Sequence, residues 1–394
     1  MGKDSVMDRA QGSLSAREVA PHVVSPLMLE RASRLPRWVH MGLMGWASPA
    51  WIGSVYDEVS PAERLASQGL KAYCAHPLLR TVSLERHAYV PYSTEDFSRI
   101  RAQLPQDYPC VVRAPLHWTN PTLRDRQGRA LGPNPDFLNF EKAQASTITA
   151  PLSGLGPHFK VLMIEIGRFE PKDIDDAQAR LAILEKVLAY LAQVREALPT
   201  SVIVGIEWRN QVFVTPRMLK GIYELNIVPI MGLHPSLRPA LQQQRALQFY
   251  YRLHEDASLK ASGPEPLTLP LTEGDEPEET EEERAARLDP LHRNWIRFTR
   301  PLLIRWSLSS VLAKPEVSGR SPTPPRLVRD LITRSLLALL LWQAAVSKVP
   351  AFFVVGNKAE GLASETLFAI AEELDRVRAK EVARADWEFG PLED

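Results

Sequence analysis

Eight times between Val39 and Asn357, a short apolar run leads into a loop that opens on a polar residue and then into a stretch of helical periodicity. Parallel strands need crossover connections, so this alternation gives a parallel sheet, and unbroken apolar strands mean that both its faces are covered. The runs are Val39–Gly45, Thr81–His87, Cys110–Pro115, Val161–Gly167, Val202–Arg209, Ile227–His234, Leu302–Ser307 and Ala351–Asn357. Eight strands close a barrel, and the sequence predicts an α/β fold, a TIM-type (β/α)8 barrel, as one domain over residues 36–385. An open doubly wound sheet competes, but one strand per helix through eight units favours closure.

The intervals carry helix signals. Asp173–Leu198 places Ala177, Leu181, Leu184, Leu188 and Leu191 at three-to-four spacing behind an acidic first turn. A helix over Pro61–Cys74 is expected with Ser60 as N-cap and Glu63 completing a capping box, and Thr215–Leu225 has Thr215 as cap before Pro216. Pro325–Lys348 and Gly361–Lys380 read as the last two helices. Residues 1–35 are polar and rich in turn formers, which suits a flexible tail or a clasp on the barrel's outside. Residues 253–296, rich in Pro, Glu and Ser, read as an acidic, disordered insertion, and 314–324 as a short Pro/Ser-rich loop.

Charge and cysteine usage narrow the class. Lys+Arg and Asp+Glu balance at 47 each, yet eight acidic and no basic residues fall between Glu273 and Glu283, so the rest of the chain carries a basic surplus of eight. A mildly basic body is compatible with an anionic small molecule or nucleic acid, and the acidic run with a basic partner. Cys74, on a predicted helix, and Cys110, on a predicted strand, have no partner at metal spacing, which points to a reducing, cytoplasmic setting. No signal peptide is apparent, and the longest apolar run, Leu336–Trp342, falls far short of the roughly 18–20 residues that cross a bilayer, so no membrane partner is expected.

Side chains alternate along a strand, and ligands of such barrels bind at the C-terminal mouth. Inward parity near the strand ends selects Glu85 and His87, Arg113, Glu165, Glu207 and Arg209, His234, Arg305 and Ser307, and Asn357. Arg113, Arg209 and Arg305 stay charged, and their forked donors suit phosphate or carboxylate. Arg305 with Gly356-Asn357-Lys358 and Gly361 occupies the place between the seventh and eighth loops where many barrels hold phosphate. Glu207, Glu85 and Glu165 are the candidate catalytic acids and bases. With His87 and His234 they are also a candidate set for a divalent metal, although no HExxH, paired-His or Asp-x-Asp element indicates one, and a lone histidine is more often packed in a core. No Walker loop or Gly-x-Ser-x-Gly elbow occurs. Trp46, Trp51, Tyr56, Tyr89, His117 and Trp118 cluster near the first and third loops, where Trp46 and Tyr89 could stack on a base or sugar or pin the loops together. The bland alternative is a self-satisfied salt-bridge layer capping the barrel.

Gly45-Trp46, Pro49, Trp51, Gly53 and Tyr56, then Arg64-Leu65, Tyr89 and Pro91, then Glu207 and Arg209, Arg305, and finally Asn357, Gly361 and Ala363 resemble the YecE-like family, domain of unknown function 72. The resemblance spans about Val39 to Leu374 and implies a TIM-type barrel with a polar pocket at its mouth and no settled activity. The chain departs from that pattern: Glu85 stands where Asn is usual, Arg113 where Lys is usual, and Asn210 where His often follows the Glu-x-Arg pair. Gly356 replaces an Asn, Ser307 a His, and the sixth strand lacks the usual Asp.

Two functions are therefore expected candidates. One is an enzyme acting on a phosphodiester, sugar phosphate or other anion, held by Arg113, Arg209, Arg305, Trp46, Tyr89, Asn357 and Lys358 with Glu207, Glu85 and Glu165 handling protons or a metal. The other is a non-catalytic ligand-binding, nucleic-acid-binding or scaffold protein with a degenerate pocket.

Overall fold

The computed structural model describes residues 18–125, 127, 129–254, 296–308 and 329–389. Eight parallel strands close a barrel: β1 (Val39–Met44), β2 (Thr81–Leu84), β3 (Cys110–Arg113), β6 (Phe159–Ile166), β7 (Ile203–Trp208), β8 (Val228–Leu233), β9 (Leu302–Trp306) and β10 (Ala351–Val355). All eight predicted runs are strands of this barrel, and β10 pairs back onto β1 with Val39 opposite Ala351. β4 (Thr122–Arg124) and β5 (Ala130–Pro133) form a separate antiparallel hairpin after the third barrel strand, outside the eight predicted runs.

Apolar residues on both strand faces fill the barrel and the layer beneath the helices. The helix Leu331–Val346 is the most deeply seated, with Leu336, Leu337, Leu339, Leu340 and Leu341 all buried. Its apolar composition on every side follows from packing against both the barrel and the helix Ala363–Phe389.

Several local expectations need correction. The helix predicted over Pro61–Cys74 is two, Ala62–Gln68 and Leu70–Cys74, interrupted at Gly69. Because the first begins one residue late, Pro61 holds the cap position and Ser60 caps nothing, its hydroxyl being buried without a partner. Thr215 caps Pro216–Glu224 as expected, and Asp176 caps Ala177–Glu196. Of the two alternatives for residues 1–35, residues 26–34 take the clasp, as a helix: Arg34 donates from Nη2 to Asp375 Oδ2 at 2.6 Å, and Ala32 and Leu35 join the core. Most of the acidic insertion 253–296 and all of the loop 314–324 lie outside the described residues, as do residues 1–17. No helix among the described residues is long and apolar enough to cross a membrane.

Candidate active site

Strand register brings the predicted charges together. Glu165 on β6 sits beside Glu207 on β7, and Arg305 on β9 beside Gly232 on β8. Arg113 ends β3 next to Met163, two residues below Glu165. Glu85 and Arg209 follow directly on β2 and β7. These six side chains form a ring across the C-terminal mouth.

Arg113 Nη1 donates to Glu85 Oε2 at 3.1 Å and to the Tyr89 hydroxyl at 3.2 Å, while its Nη2 donates to Glu165 Oε2 at 2.5 Å. Arg209 Nη2 reaches Glu165 Oε2 at 2.9 Å, with Nε 2.8 Å from Oε1. Arg305 Nη2 donates to Glu85 Oε2 at 3.0 Å, and Ser83 Oγ adds a 2.9 Å bond to Glu85 Oε1. Glu85 and Glu165 are thus well supplied with donors. Burial raises both carboxyls, but the arginines outweigh it and bring each down to about 2. Arg113 and Arg305 are lowered by burial and raised by more by their carboxylate neighbours.

Glu207 differs. Its side chain is 3% exposed, and neither carboxylate oxygen accepts a hydrogen bond. Its nearest cations are Arg209 Nε at 3.4 Å from Oε1 and Arg305 Nη1 at 3.6 Å from Oε2, ion-pair separations without hydrogen-bond geometry. Burial raises its pKa, Arg305 and Arg209 oppose, and Glu165 adds repulsion, leaving the net shift upward. Arg209 Nη1, Arg305 Nη1 and Arg113 Nε are also buried without hydrogen-bond partners. Unsatisfied polar atoms of both signs therefore collect within the ring, an arrangement that costs folding energy and suits a ligand offering both acceptor oxygens and a proton.

Gly232 makes this position of Glu207 attainable. A Cβ there would stand 2.7 Å from Glu207 Oε2 and 2.8 Å from Cδ, so only glycine lets the carboxylate lie across β8. Neither Gly232 nor Ser83 was singled out from sequence, although a glycine inside an otherwise apolar strand is the signal that marks a close approach.

The remaining predicted residues lie outside the ring. His87 turns away from the mouth because β2 ends at Leu84 and Glu85–Ala88 is a 3-10 turn, which breaks the two-residue parity. It is fully buried against Tyr92 and Phe97, its Nδ1 accepts from Tyr92 N at 2.8 Å, its Nε2 lies 3.1 Å from Ser146 O, and burial lowers its pKa to about 4. His87 is a packed core histidine with both nitrogens engaged. His234 sits in the loop after β8, where its Nδ1 meets Ser236. Asn357 pins loops together: its Oδ1 accepts from Trp51 Nε1 and Ala363 N, and its Nδ2 donates to Ser48 Oγ. Trp46 is buried and donates to Leu65 O, Ser307 Oγ donates to Leu233 O, and Lys358 is exposed. Tyr89, 69% exposed, lies against Arg113, whose guanidinium carbon is 5.4 Å from the ring centroid. Among the described residues, no three His, Cys, Asp or Glu side chains are arranged to hold a metal ion.

A family profile described as "Protein of unknown function DUF72" matches residues 40–385. Among solved structures, the chain is similar to a DUF72 family protein from Enterococcus faecalis V583, at 13% identity over 86% of this chain and 95% of that one, with a TM-score of 0.47. It is also similar to a DUF72 family protein from Thermotoga maritima MSB8, at 15% identity over 87% of this chain and 100% of the other, with a TM-score of 0.46. No curated protein matches.

Proposed function

The chain belongs to the DUF72 family of proteins of unknown function, and from the chemistry of its barrel mouth we propose that it is an acid–base enzyme acting on a phosphoryl-bearing small molecule. The observation that carries this reading is Glu207, a buried carboxylate without a hydrogen-bond donor, beside two arginines that each keep an unsatisfied Nη1. Arg209 and Arg305 hold the phosphoryl oxygens, Glu207 gives or takes the proton, and Glu85, Glu165 and Arg113 fix the arginine planes. Arg209 and Glu85, with side chains 15% exposed, are the most accessible ring members and mark the side from which the ligand enters.

Charge balance adds a condition. Three glutamates and three arginines cancel, so an anion finds no net attraction while Glu207 is ionised. With Glu207 protonated the ring carries one positive charge and the proton is placed for transfer. The upward shift of Glu207 supports this coupling.

A second reading is favoured by the same balance: a closed ion layer that stabilises the barrel and carries no chemistry, in a binding or scaffold protein. Thermal shift across a phosphate-ester library, with phosphate release read in parallel, separates the two. The proposal expects stabilisation of wild type by some esters, loss of that effect in Arg209→Ala, and retained binding without turnover in Glu207→Gln. If both variants match wild type across the library, the acid–base reading is wrong.

A further inference from the structure

We propose that the cleft beside the charge ring is a sugar-binding subsite, so that the ligand of the barrel mouth is a sugar phosphate. This rests on the phosphoryl reading above and adds the other half of the ligand. The cleft has a volume of about 780 Å³ and lies between the loop after β1, the helix Ala62–Gln68, the turn after β2 and the helix Thr94–Arg101. That volume is within the range of small-ligand sites. Glu85 joins the two regions: it lines the cleft and accepts from Arg113 and Arg305 in the ring. Of the ring residues only Glu85 lines the cleft, so a ligand held at Arg305, from which Glu85 accepts, has this cleft as its neighbouring space across that carboxylate.

The lining matches one chemical class. Trp46 and Ile100 give it an apolar floor, while Glu63 and Ser67 stand on an exposed wall, Glu63 with its carboxylate and Ser67 with a hydroxyl that donates to the Glu63 and Arg64 carbonyls and keeps its acceptor side for a ligand. A sugar ring presents an apolar C–H face to such a floor and hydroxyls to such a wall. A second phosphate does not suit the cleft. Glu63, Glu85 and Asp96 line it against Arg86 and Arg99, and Arg99 is already paired with Asp96 at 2.8 Å. The ligand thus places its charge in the ring and its uncharged, hydroxylated part in the cleft.

The test compares inorganic phosphate, glucose-6-phosphate and adenosine monophosphate by titration calorimetry on the full chain. Wild type is expected to bind one of the sugar phosphates at least about tenfold more tightly than inorganic phosphate. Ser67→Trp, which fills the cleft from an exposed helix position, is expected to erase that surplus and leave phosphate affinity unchanged. Glu63→Ala, a milder change on the same wall, is expected to reduce it about fivefold. A surplus confined to adenosine monophosphate assigns the sugar to a nucleotide ribose, and one confined to glucose-6-phosphate to a free sugar phosphate. Binding of phosphate with no surplus, or a surplus kept by both variants, overturns the subsite and leaves the anion reading standing. No binding of any of the three by wild type overturns both.

Discussion

Replacing Glu85 and Glu207 by their neutral isosteres should move stability in opposite directions. Glu85 is held by two arginines and Ser83, and its pKa falls from the usual 4.5 to about 2. At about 1.4 kcal/mol per tenfold, that depression is worth roughly 3 kcal/mol to the folded state at neutral pH. It is fully present above pH 4.5 and is lost as pH falls toward 2. Glu85→Gln should therefore cost about 3 kcal/mol at pH 8, a fall of roughly 4 °C in melting temperature for a chain of this size. Glu207 has the reverse sign. Its pKa is raised, so the folded state holds the proton to higher pH than the unfolded chain does, and stability declines as pH rises from 4.5 through the folded value. Glu207→Gln removes that penalty and should be at least as stable as wild type at pH 8, with the advantage gone by pH 4. Urea denaturation of the three proteins at pH 4, 6 and 8 reads the result. A Glu207→Gln protein that loses stability at pH 8 as Glu85→Gln does would show that Glu207 is an ordinary ion-pair partner, and the acid–base role would lose its physical basis.

Other outcomes follow from the same geometry. Affinity for a phosphate ester should rise by up to about tenfold per pH unit on lowering pH until Glu207 is protonated, and calorimetry in buffers of different ionisation enthalpy should detect one proton taken up. A pH-independent affinity with no proton uptake would break the coupling. Gly232→Ala should push the Glu207 carboxylate aside, costing about 1–3 kcal/mol by overpacking and abolishing the pH dependence of binding; unchanged pH dependence would mean that Glu207 sits elsewhere when ligand is bound. Leu340→Ala, at a fully buried position of the helix Leu331–Val346, should cost about 2–5 kcal/mol in urea melts, and a cost below about 1 kcal/mol would contradict the packing described.

The strands were legible because their apolar runs are continuous and short, and parity then put Glu85, Arg113, Glu165, Glu207, Arg209 and Arg305 at one end. Their pairing into a ring was not, since it depends on the register between strands far apart in sequence. His87 was misplaced because parity holds only within extended backbone, and a 3-10 turn begins two residues before it. The clasp helix Pro26–Arg34 is short and leaves Leu27 and Leu29 exposed, so no clean apolar face marks it, and what makes it part of the fold is Asp375, 341 positions away. Gly232 matters through an absent side chain, which leaves little pattern to read.

The ring also divides unevenly along the chain. Glu85, Arg113 and Glu165 come from the first four barrel strands and sum to one negative charge, while Glu207, Arg209 and Arg305 come from the last four and sum to one positive charge. Each half-barrel alone would carry an uncancelled charge on its inner face, and the ring reaches balance only when the sheet closes on itself. Drying either inner face before the other half is in place therefore costs more than drying both together, so the same six residues that make a candidate site also favour the closed barrel over a half-closed one.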